Sequence, residues 1–366
     1  MTHPSTSYLL FNNLGPLVND ESKLAFVKHG DVESLIGNEP FRQSEKHLIS
    51  EYDSAITRPL LVFLGLDERQ EGMSYKSYSG APYFALDVSP TGTIRETAQR
   101  IVSAMEARGL QFFQGRSHMK FSPEEGNTDN FPCTISYLLT SPSAALFSMG
   151  RAVIDWNSRN PYCSQCGGLT LSVQAGFKRA CPPADLGNPL MKRPDCATRT
   201  TISNISFCRT DPSIIVAVVS NDGKKTLMGH NQRWQPHWYS TLAGFCEPGE
   251  SAEEATRREV YEETGVRIGR VIIHSTQPWP YPSSLMIGAI AQALPGQEDV
   301  SLEHDQELLH AKWFDLPEVR DALDNRAIPM GEPAPPHFAE GKLRVPPPTA
   351  IAHQLLQAVV DGYMQE

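Results

Sequence analysis

The chain has 366 residues, of which 40% are hydrophobic and 20% are charged, and its formal net charge at pH 7 is -10. This length and composition are typical of two or three globular domains, and the acidic balance argues against broad, nonspecific binding to nucleic acid. No basic stretch precedes an apolar segment near the first residue, and the longest apolar run, Pro59–Leu66, is too short to cross a bilayer. We therefore expect an intracellular chain without membrane contact.

Residues 1–157 are expected to form an α+β domain. Hydrophobic periodicity and turn residues predict its elements. These are strands at Leu60–Leu66 and Tyr83–Val88, helices at Ile94–Gly109 and Ser143–Asn157, and a loop at Thr128–Pro132. Clean alternation of apolar and polar residues is hard to find elsewhere in this stretch, and nothing in it indicates chemistry.

Residues 158–202 contain four cysteines with the spacing of a metal site. They are Cys163, Cys166, Cys181 and Cys196. Four thiolates can complete a closed tetrahedral Zn2+ site, which is structural because no position stays open for substrate. A zinc ribbon usually has a second C-x2-C pair, so we interpret Pro182–Asp195 as an insertion that carries the fourth ligand to Cys196. Free, buried cysteines are the alternative.

The same stretch is locally basic. Its cationic residues are Lys178, Arg179, Lys192, Arg193 and Arg199. We interpret them as a solvated face, with phosphate contact by a nucleic acid as the alternative.

Residues 203–366 are expected to form a third domain, because strand patterns begin at about Ser203. Ser213–Ser220 and Lys225–Met228 flank an Asn-Asp-Gly turn, which predicts a hairpin. Further strands are predicted at Ser240–Phe245, Arg270–Ser275 and Met286–Ala293, and a last helix from Thr349 to about Tyr363.

A helix is predicted from Ala252 to Thr264. Ser251 followed by Glu254 is a capping box, and Gly265 stands where a left-handed cap ends a helix. The line of core positions that starts at Ala252 continues into three acidic residues, Glu259, Glu262 and Glu263, where an ordinary helix would place apolar ones. These carboxylates also lie at the negative end of the helix dipole.

Positive charge must offset this cluster. Arg258 supplies one charge, and divalent cations bound by oxygen ligands would supply the rest. Glu259 and Glu263, one turn apart, are our predicted ligands, with Glu262 as an auxiliary. A charged surface helix is the alternative, but the preceding Gly244 and the Glu-Pro-Gly-Glu turn that ends at Glu250 argue against it.

The stretch Gly244–Val266 also resembles the signature of Nudix hydrolases, G-x5-E-x7-R-E-U-x-E-E-x-G-U, where U is aliphatic. Its fixed positions are Gly244, Glu250, Arg258, Glu259, Val260, Glu262, Glu263, Gly265 and Val266. The resemblance implies an α/β/α sandwich with a mixed sheet, catalytic roles for Glu250, Arg258 and the three glutamates, and Mg2+ or Mn2+ held also by the carbonyl of Ala243.

A second motif follows the signature. The segment from Ser275 to Met286, STQPWPYPSSLM, resembles the array found in the NADH pyrophosphatase family of Nudix hydrolases, of the zinc-ribbon, eukaryotic or fungal type. Its prolines restrict the backbone, so its aromatic rings can be presented to a flat base at little ordering cost. The predicted substrate-binding residues of this array are Gln277, Pro278, Trp279, Pro280, Tyr281, Pro282, Ser283 and Ser284.

The same family resemblance implies roles for residues outside the two motifs. Phe245 and Phe207 match aromatic residues that contact the nicotinamide and the other base. Glu307 matches a glutamate that binds metal near the diphosphate and is needed for catalysis, and Ala352 matches a backbone contact to substrate. A substrate-contacting glutamate of bacterial relatives is replaced by Gly176, which puts the part of the ribbon in binding in doubt.

The resemblance therefore implies hydrolysis of NADH, and more slowly of NAD+, to NMNH or NMN and AMP, with removal of NAD caps from RNA as a related activity. It also implies a homodimer and a cytoplasmic or peroxisomal location, although the chain ends without an SKL-like signal. The alternatives are a Nudix enzyme for another substrate such as ADP-ribose, and a zinc-ribbon binding module without catalysis.

Overall fold

The computed structural model describes residues 3–19, 23–113, 141–201, 203–327 and 341–363. The chain divides into two compact units, one made of the described residues up to Arg209 and one made of those from Thr210 onward. The predicted loop Thr128–Pro132 lies outside the described residues, and the domain boundaries after residues 157 and 202 stay predictions. Among the described residues, no helix combines the length and the apolar character needed to cross a membrane.

The first unit is built from short strands and four described α-helices. Its strands are β1 (Ser7–Asn12), β2 (Gly15–Val18), β3 (Phe26–Val27), β4 (Leu61–Asp67), β5 (Met73–Tyr75), β6 (Tyr78–Asp87), β7 (Gln111–Phe112), β8 (Leu171–Val173) and β9 (Lys178–Ala180). Its helices are α1 (His29–Ile36), α2 (Glu45–Ser50), α3 (Arg95–Ala107) and α4 (Ser141–Arg159). The order β4-β6-β1-β2-β7 defines the main sheet, in which β1 and β6 are parallel.

The predicted α+β character of this unit agrees with the observed elements. Strands β4 and β6 and helices α3 and α4 fall where the sequence predicts them, with β6 extended to Tyr78. Strands β1 and β2 are not predicted, because residues 7–11 and 15–18 are buried throughout and so lack alternation. Helix α4 packs on the sheet, where Phe147 stacks on Phe11 with ring centroids 6.2 Å apart.

The second unit is a three-layer α/β/α sandwich with a mixed sheet, as predicted. Its strands are β10 (Asp211–Val219), β11 (Lys225–Asn231), β12 (Leu242–Phe245), β13 (Ile268–Trp279), β14 (Ser284–Ala293) and β15 (Leu308–Asp315). Its helices are α5 (Ala252–Thr264), α6 (Leu316–Asn325) and α7 (Ile351–Val360). The sheet order is β13-β14-β10-β11-β15, with β12 paired to β10 and with β10 and β14 parallel.

The residues of the central strand β10 pack against a helix on each face of the sheet. Ile214, Val216 and Val218 pack in the core that contains Ala255 and Val260 of α5. Ile215, Ala217 and Val219 point the other way and pack with Ile351 and Leu355 of α7. Because both faces of the strand are buried, its sequence reads as a continuous apolar run.

Helix α5 has the predicted bounds and caps. The Ser251 hydroxyl accepts from the Glu254 N–H at 3.2 Å, and the Glu254 carboxylate accepts from the Ser251 N–H at 2.9 Å. Gly265 ends the helix in the left-handed conformation with φ 71°. The capping box and the C-terminal cap are therefore confirmed.

Several predicted bounds in the second unit are wrong, among them those of β13 and α7. Strand β13 runs to Trp279 instead of ending at Ser275, because it is an edge strand, where Pro278 can pair without donating an N–H. Helix α7 begins at Ile351 instead of Thr349, after the proline run 346–348, and ends at Val360.

Candidate metal and substrate site

Arg258 is the centre of the polar network on α5. Its guanidinium makes two bonds to Glu250, with Nε 2.6 Å from Oε1 and an Nη 2.9 Å from Oε2. It also lies 2.9 Å from both Glu259 and Glu262, and it donates to the Phe245 carbonyl at 2.8 Å. Hydrogen bonds from Arg258 and from the Glu247 N–H lower the pKa of Glu250 to about 2. The signature arginine and its first glutamate thus form a brace between the turn and the helix.

Two of the three glutamates on the last turns of α5 point inward. Glu263 is 4% exposed, and the Glu259 side chain is 14% exposed, whereas the Glu262 side chain is 46% exposed. Glu262 thus differs from the two predicted ligands in its exposure, while the division into two ligands and one auxiliary residue stays a prediction.

Glu263 is a buried carboxylate with an unused oxygen. Its Oε2 atom has no hydrogen-bond partner among the described residues. Burial raises the pKa of Glu263 well above its ordinary value, and repulsion from Glu307 and Glu259 adds to that, while a hydrogen bond to the Ala243 backbone opposes it. A buried acceptor of this kind is costly unless a proton or a cation compensates it.

Glu307 faces the same region from the loop that precedes β15. Burial and repulsion from Asp305 raise the pKa of Glu307, while Arg233 lowers it. Burial also raises the pKa of Glu259, against the effect of its bond to Arg258. No local sequence pattern links Arg233 to a glutamate so distant in the chain, so its effect on Glu307, like that of Asp305, could not be predicted.

These residues fit a divalent cation by their chemistry. Hard cations such as Mg2+ and Mn2+ prefer oxygen ligands, and Glu259, Glu263 and Glu307 offer carboxylates whose pKa values are raised first by burial and then by repulsion from other acids. The Ala243 backbone reaches the same carboxylate of Glu263. Glu259 and Glu307 are thus near enough to Glu263 to raise its pKa by repulsion, while the ligand set itself stays a prediction.

The substrate array forms the tip of the β13–β14 hairpin. Trp279 pairs with Ser284, and the rings of Trp279 and Tyr281 meet edge to face with centroids 6.0 Å apart. Ser283 and Ser284 are buried, and the Ser283 carbonyl accepts from the Asp211 N–H at 2.9 Å. The hairpin is therefore tied to the start of β10.

Gln277 is occupied by protein groups. Its Nε2 donates to the Thr349 carbonyl and its Oε1 accepts from the Ile351 N–H, each at 2.9 Å. No local sequence pattern predicts these bonds, because they join residues more than 70 positions apart.

The remaining predicted contacts differ in their surroundings. Phe245 is 54% exposed, as a stacking residue must be, and its carbonyl is held by Arg258. Ala352 is in the first turn of α7, where helix geometry leaves N–H groups without a carbonyl four residues earlier. Phe207 is in the first unit, half-buried, with Lys178 Nζ 5.9 Å from its ring centre.

The four cysteines of the first unit come together. Their sulfur atoms lie within 4.8 Å of one another, with 3.7 Å between Cys163 and Cys196 and 3.5 Å between Cys166 and Cys181. A tetrahedral site with Zn–S bonds of about 2.3 Å has sulfur atoms about 3.8 Å apart. This spacing fits Zn2+, and Cys196 lies with the other three cysteines, while the interpretation of residues 182–195 as an insertion stays a prediction.

The pKa values of two of these thiols are shifted in opposite directions. Burial raises the pKa of Cys163, but the N–H groups of Cys166 and Gln165 outweigh it and lower that pKa to about 6. Burial raises the pKa of Cys181 to about 12, although Arg199 donates to its sulfur at 3.3 Å. Neighbouring thiols cannot all ionise without a cation, because the negative thiolates repel one another. A bound Zn2+ would supply the positive charge that lets all four ionise.

The predicted solvated basic face is wrong for several of its members. The Arg193 side chain is 4% exposed and lies 3.1 Å from Asp185, whose side chain is 6% exposed. Arg179 donates to Thr170 and Asn157, and Lys178 lies 2.7 Å from Glu45. These cations are held by polar groups of the first unit, because folding brings them to carbonyls and acids that the local sequence does not reveal.

Comparison with known proteins agrees with the two motifs. The NUDIX domain family model matches residues 209–333. The NAD-capped RNA hydrolase NPY1 of Saccharomyces cerevisiae is 34% identical over 313 residues, covering 83% of this chain and 73% of that protein. The NAD-capped RNA hydrolase NUDT12 of Homo sapiens is 32% identical over 377 residues, covering 97% of this chain and 67% of that protein.

A further relative is named as a pyrophosphatase and not as a hydrolase of NAD-capped RNA. The mitochondrial NAD(P)H pyrophosphatase NUDT13 of Mus musculus is 29% identical over 362 residues, covering 97% of this chain and 84% of that protein. Together with the signature on α5 and the array at the β13–β14 tip, these likenesses settle the family. The chain belongs to the Nudix hydrolases of the NADH pyrophosphatase type.

Proposed function

We propose that this protein hydrolyses the diphosphate of NADH, and more slowly of NAD+, to NMNH or NMN and AMP, and that the same bond is broken when it removes NAD caps from RNA. The observation that carries the proposal is Glu263, a 4% exposed carboxylate with an unpaired oxygen on the signature helix. The names of the relatives supply the class of substrate.

Glu259, Glu263 and Glu307, with the carbonyl of Ala243, would hold Mg2+ or Mn2+ next to the diphosphate. When bound, the metal neutralises phosphate charge and lowers the pKa of the attacking water. Arg258 keeps Glu259 in place through its 2.9 Å contact, while its two bonds to Glu250 fix the guanidinium. Water adds to one phosphorus, and the phosphoanhydride bond breaks to leave the two mononucleotides.

Recognition of the nucleotide would rest on aromatic rings and fixed backbone. Phe245 offers an exposed ring beside the Arg258 network, and Trp279 and Tyr281 form an edge-to-face pair at the hairpin tip. Aromatic surfaces of this kind favour flat bases. Ala352 is a further proposed contact, and the role of Phe207 rests on the family resemblance alone.

We also propose one structural Zn2+ per chain, bound by the four cysteines, and a homodimer. The sulfur spacing supports the zinc site. The homodimer rests on the family resemblance, and its test is the molar mass in solution by light scattering.

The test of the function is to incubate the protein with NADH, NAD+ or ADP-ribose in the presence of Mg2+ or Mn2+ and to separate the products by chromatography. We expect NMNH and AMP from NADH at the highest rate. Preferred cleavage of ADP-ribose would favour the alternative Nudix substrate, and no cleavage of any of the three would favour a binding module.

A matched pair of variants tests the metal site. Glu263→Gln should lose at least about 100-fold in kcat, since a carboxylate ligand is removed. Glu253→Gln, in the first turn of the same helix, should keep the wild-type rate. A Glu263→Gln protein as active as the wild type would contradict the proposed site.

A further inference from the structure

Gln277 lies on β13 at the start of the hairpin tip, but its amide reaches the segment that precedes α7. One end of the amide donates to Thr349 O and the other accepts from Ile351 N, both at 2.9 Å. These two backbone groups flank Ala350. A single side chain therefore holds the main chain on both sides of one residue, just before Ala352.

The segment that precedes α7 can donate few backbone hydrogen bonds of its own. Residues 346–348 are prolines, which have no N–H to donate to a neighbouring strand. Their carbonyls are instead hydrogen-bonded one by one. The donors are His353 Nδ1 to Pro346 at 2.9 Å, Ala350 N to Pro347 at 2.9 Å, and Gln354 Nε2 to Pro348 at 2.7 Å.

The bonds of Gln277 differ from these in origin. The other donors belong to the segment itself or to α7, so they shape the segment without setting its distance from β13. The two bonds of Gln277 join the segment before α7 to β13, the strand that carries Pro278 and Trp279. Gln277 thus links two parts of the chain that are both predicted to touch the substrate.

We propose that Gln277 is a positioning residue, which fixes the backbone of Ala352 relative to the hairpin tip so that both contact the substrate at a constant spacing. This inference rests on the proposed function, and it assigns Gln277 a role other than the direct substrate contact predicted from the sequence. An amide fits the role because it supplies a donor and an acceptor on one rigid group.

Two measurements on Gln277→Met test the proposal, because Met keeps the length of the side chain and removes both bonds. Hydrogen exchange of the Ile351 amide in the substrate-free protein should become about tenfold faster. The KM for NADH should rise about tenfold, with kcat within about twofold of the wild type, because the carboxylate cluster is unchanged. Circular dichroism checks that the variant is folded.

Two further variants sharpen the result. Gln277→Glu keeps an acceptor for the Ile351 N–H but offers no donor to Thr349, so Ile351 should stay protected while KM rises less than in Gln277→Met. Gln357→Met is the matched control, because Gln357 lies at the far end of α7 and bonds to the exposed Asp361. It should change neither quantity.

The outcomes are distinguishable. A higher KM without faster exchange at Ile351 would mean that Gln277 contacts the substrate directly, and faster exchange without a change in KM would mean that its bonds serve the fold alone. Either result would overturn the positioning role. Failure of the wild-type protein to hydrolyse NADH would instead overturn the proposed function, whatever the exchange measurement gives.

Discussion

The carboxylate of Glu259 lies directly against the α-carbon of Gly244, in the space that a β-carbon at position 244 would occupy. Gly244 does not have a positive φ, so this glycine is needed for close approach and not for backbone freedom. The first glycine of the signature therefore has a physical reason. It lets β12 and α5 come near enough for the Glu259 carboxylate to lie against the backbone of Gly244.

Gly244→Ala should displace the Glu259 carboxylate and lower kcat by about 100-fold, because a shift of about 1 Å in a catalytic group has this order of effect. The measurement is kcat with NADH at saturating Mn2+. Gly30→Ala in α1, where a β-carbon meets nothing within 4 Å, is the control and should keep the wild-type rate. An unimpaired Gly244→Ala enzyme would show that Glu259 need not hold its observed place.

The carboxyl cluster should make metal binding depend on pH. Burial, the largest cause in each case, raises the pKa values of Glu259, Glu263 and Glu307. A carboxyl group whose pKa is raised by folding contributes most to the stability of the folded state below its unfolded pKa, near 4.5. This contribution to stability is lost as the pH rises through the folded pKa. Mn2+ needs the deprotonated carboxylates, so it competes with protons.

We therefore expect the rise in Tm caused by Mn2+ to be larger at about pH 8 than at about pH 5, since fewer protons must be displaced. Thermal unfolding of chelated and Mn2+-loaded protein at both pH values measures it. Glu263→Gln should show a small Mn2+ effect at both. An equal Mn2+ effect in the wild type at both pH values would contradict the assignment of these carboxylates.

Helix α5 could be predicted to the residue because its determinants are local. Ser251, Glu254 and Gly265 set its ends, and the acidic residues at core positions mark its function. Strand β1 could not be predicted, since its residues are buried on both faces and carry no alternation. Periodicity reports a difference between two faces, and this strand has none.

The parts of the site that escaped prediction depend on distant contacts. The amide of Gln277 bonds to residues 72 and 74 positions away, and Arg193 pairs with Asp185 in a segment whose path the local sequence does not fix. Motifs reveal which residues a family uses. They do not reveal which of those residues hold one another.

Phe245 is expected to determine affinity for the nicotinamide end of the substrate. It is 54% exposed, and its carbonyl is fixed by Arg258. Phe245→Ala should raise the KM for NADH by about tenfold, since stacking of a base on an aromatic ring contributes about 1–3 kcal/mol. Phe245→Tyr keeps the ring and should stay within about twofold. Initial rates over a range of NADH concentrations decide this, and an unchanged KM for Phe245→Ala would rule out the stacking role.

The buried pair of Arg193 and Asp185 should control retention of zinc. Arg193 also donates to the carbonyls of Leu169 and Pro182, which follow Cys166 and Cys181 closely in the sequence. Asp185→Asn leaves the guanidinium buried without its counter-charge, a change that costs about 3 kcal/mol. We expect the variant to unfold at lower temperature and to lose zinc to a chelator that leaves the wild type at one zinc per chain, as measured by elemental analysis.

Asp195→Asn, an exposed change in the same segment, should keep both its zinc and its Tm. If Asp185→Asn retained zinc as firmly as Asp195→Asn does, the pair would be stabilising the insertion without supporting the metal site.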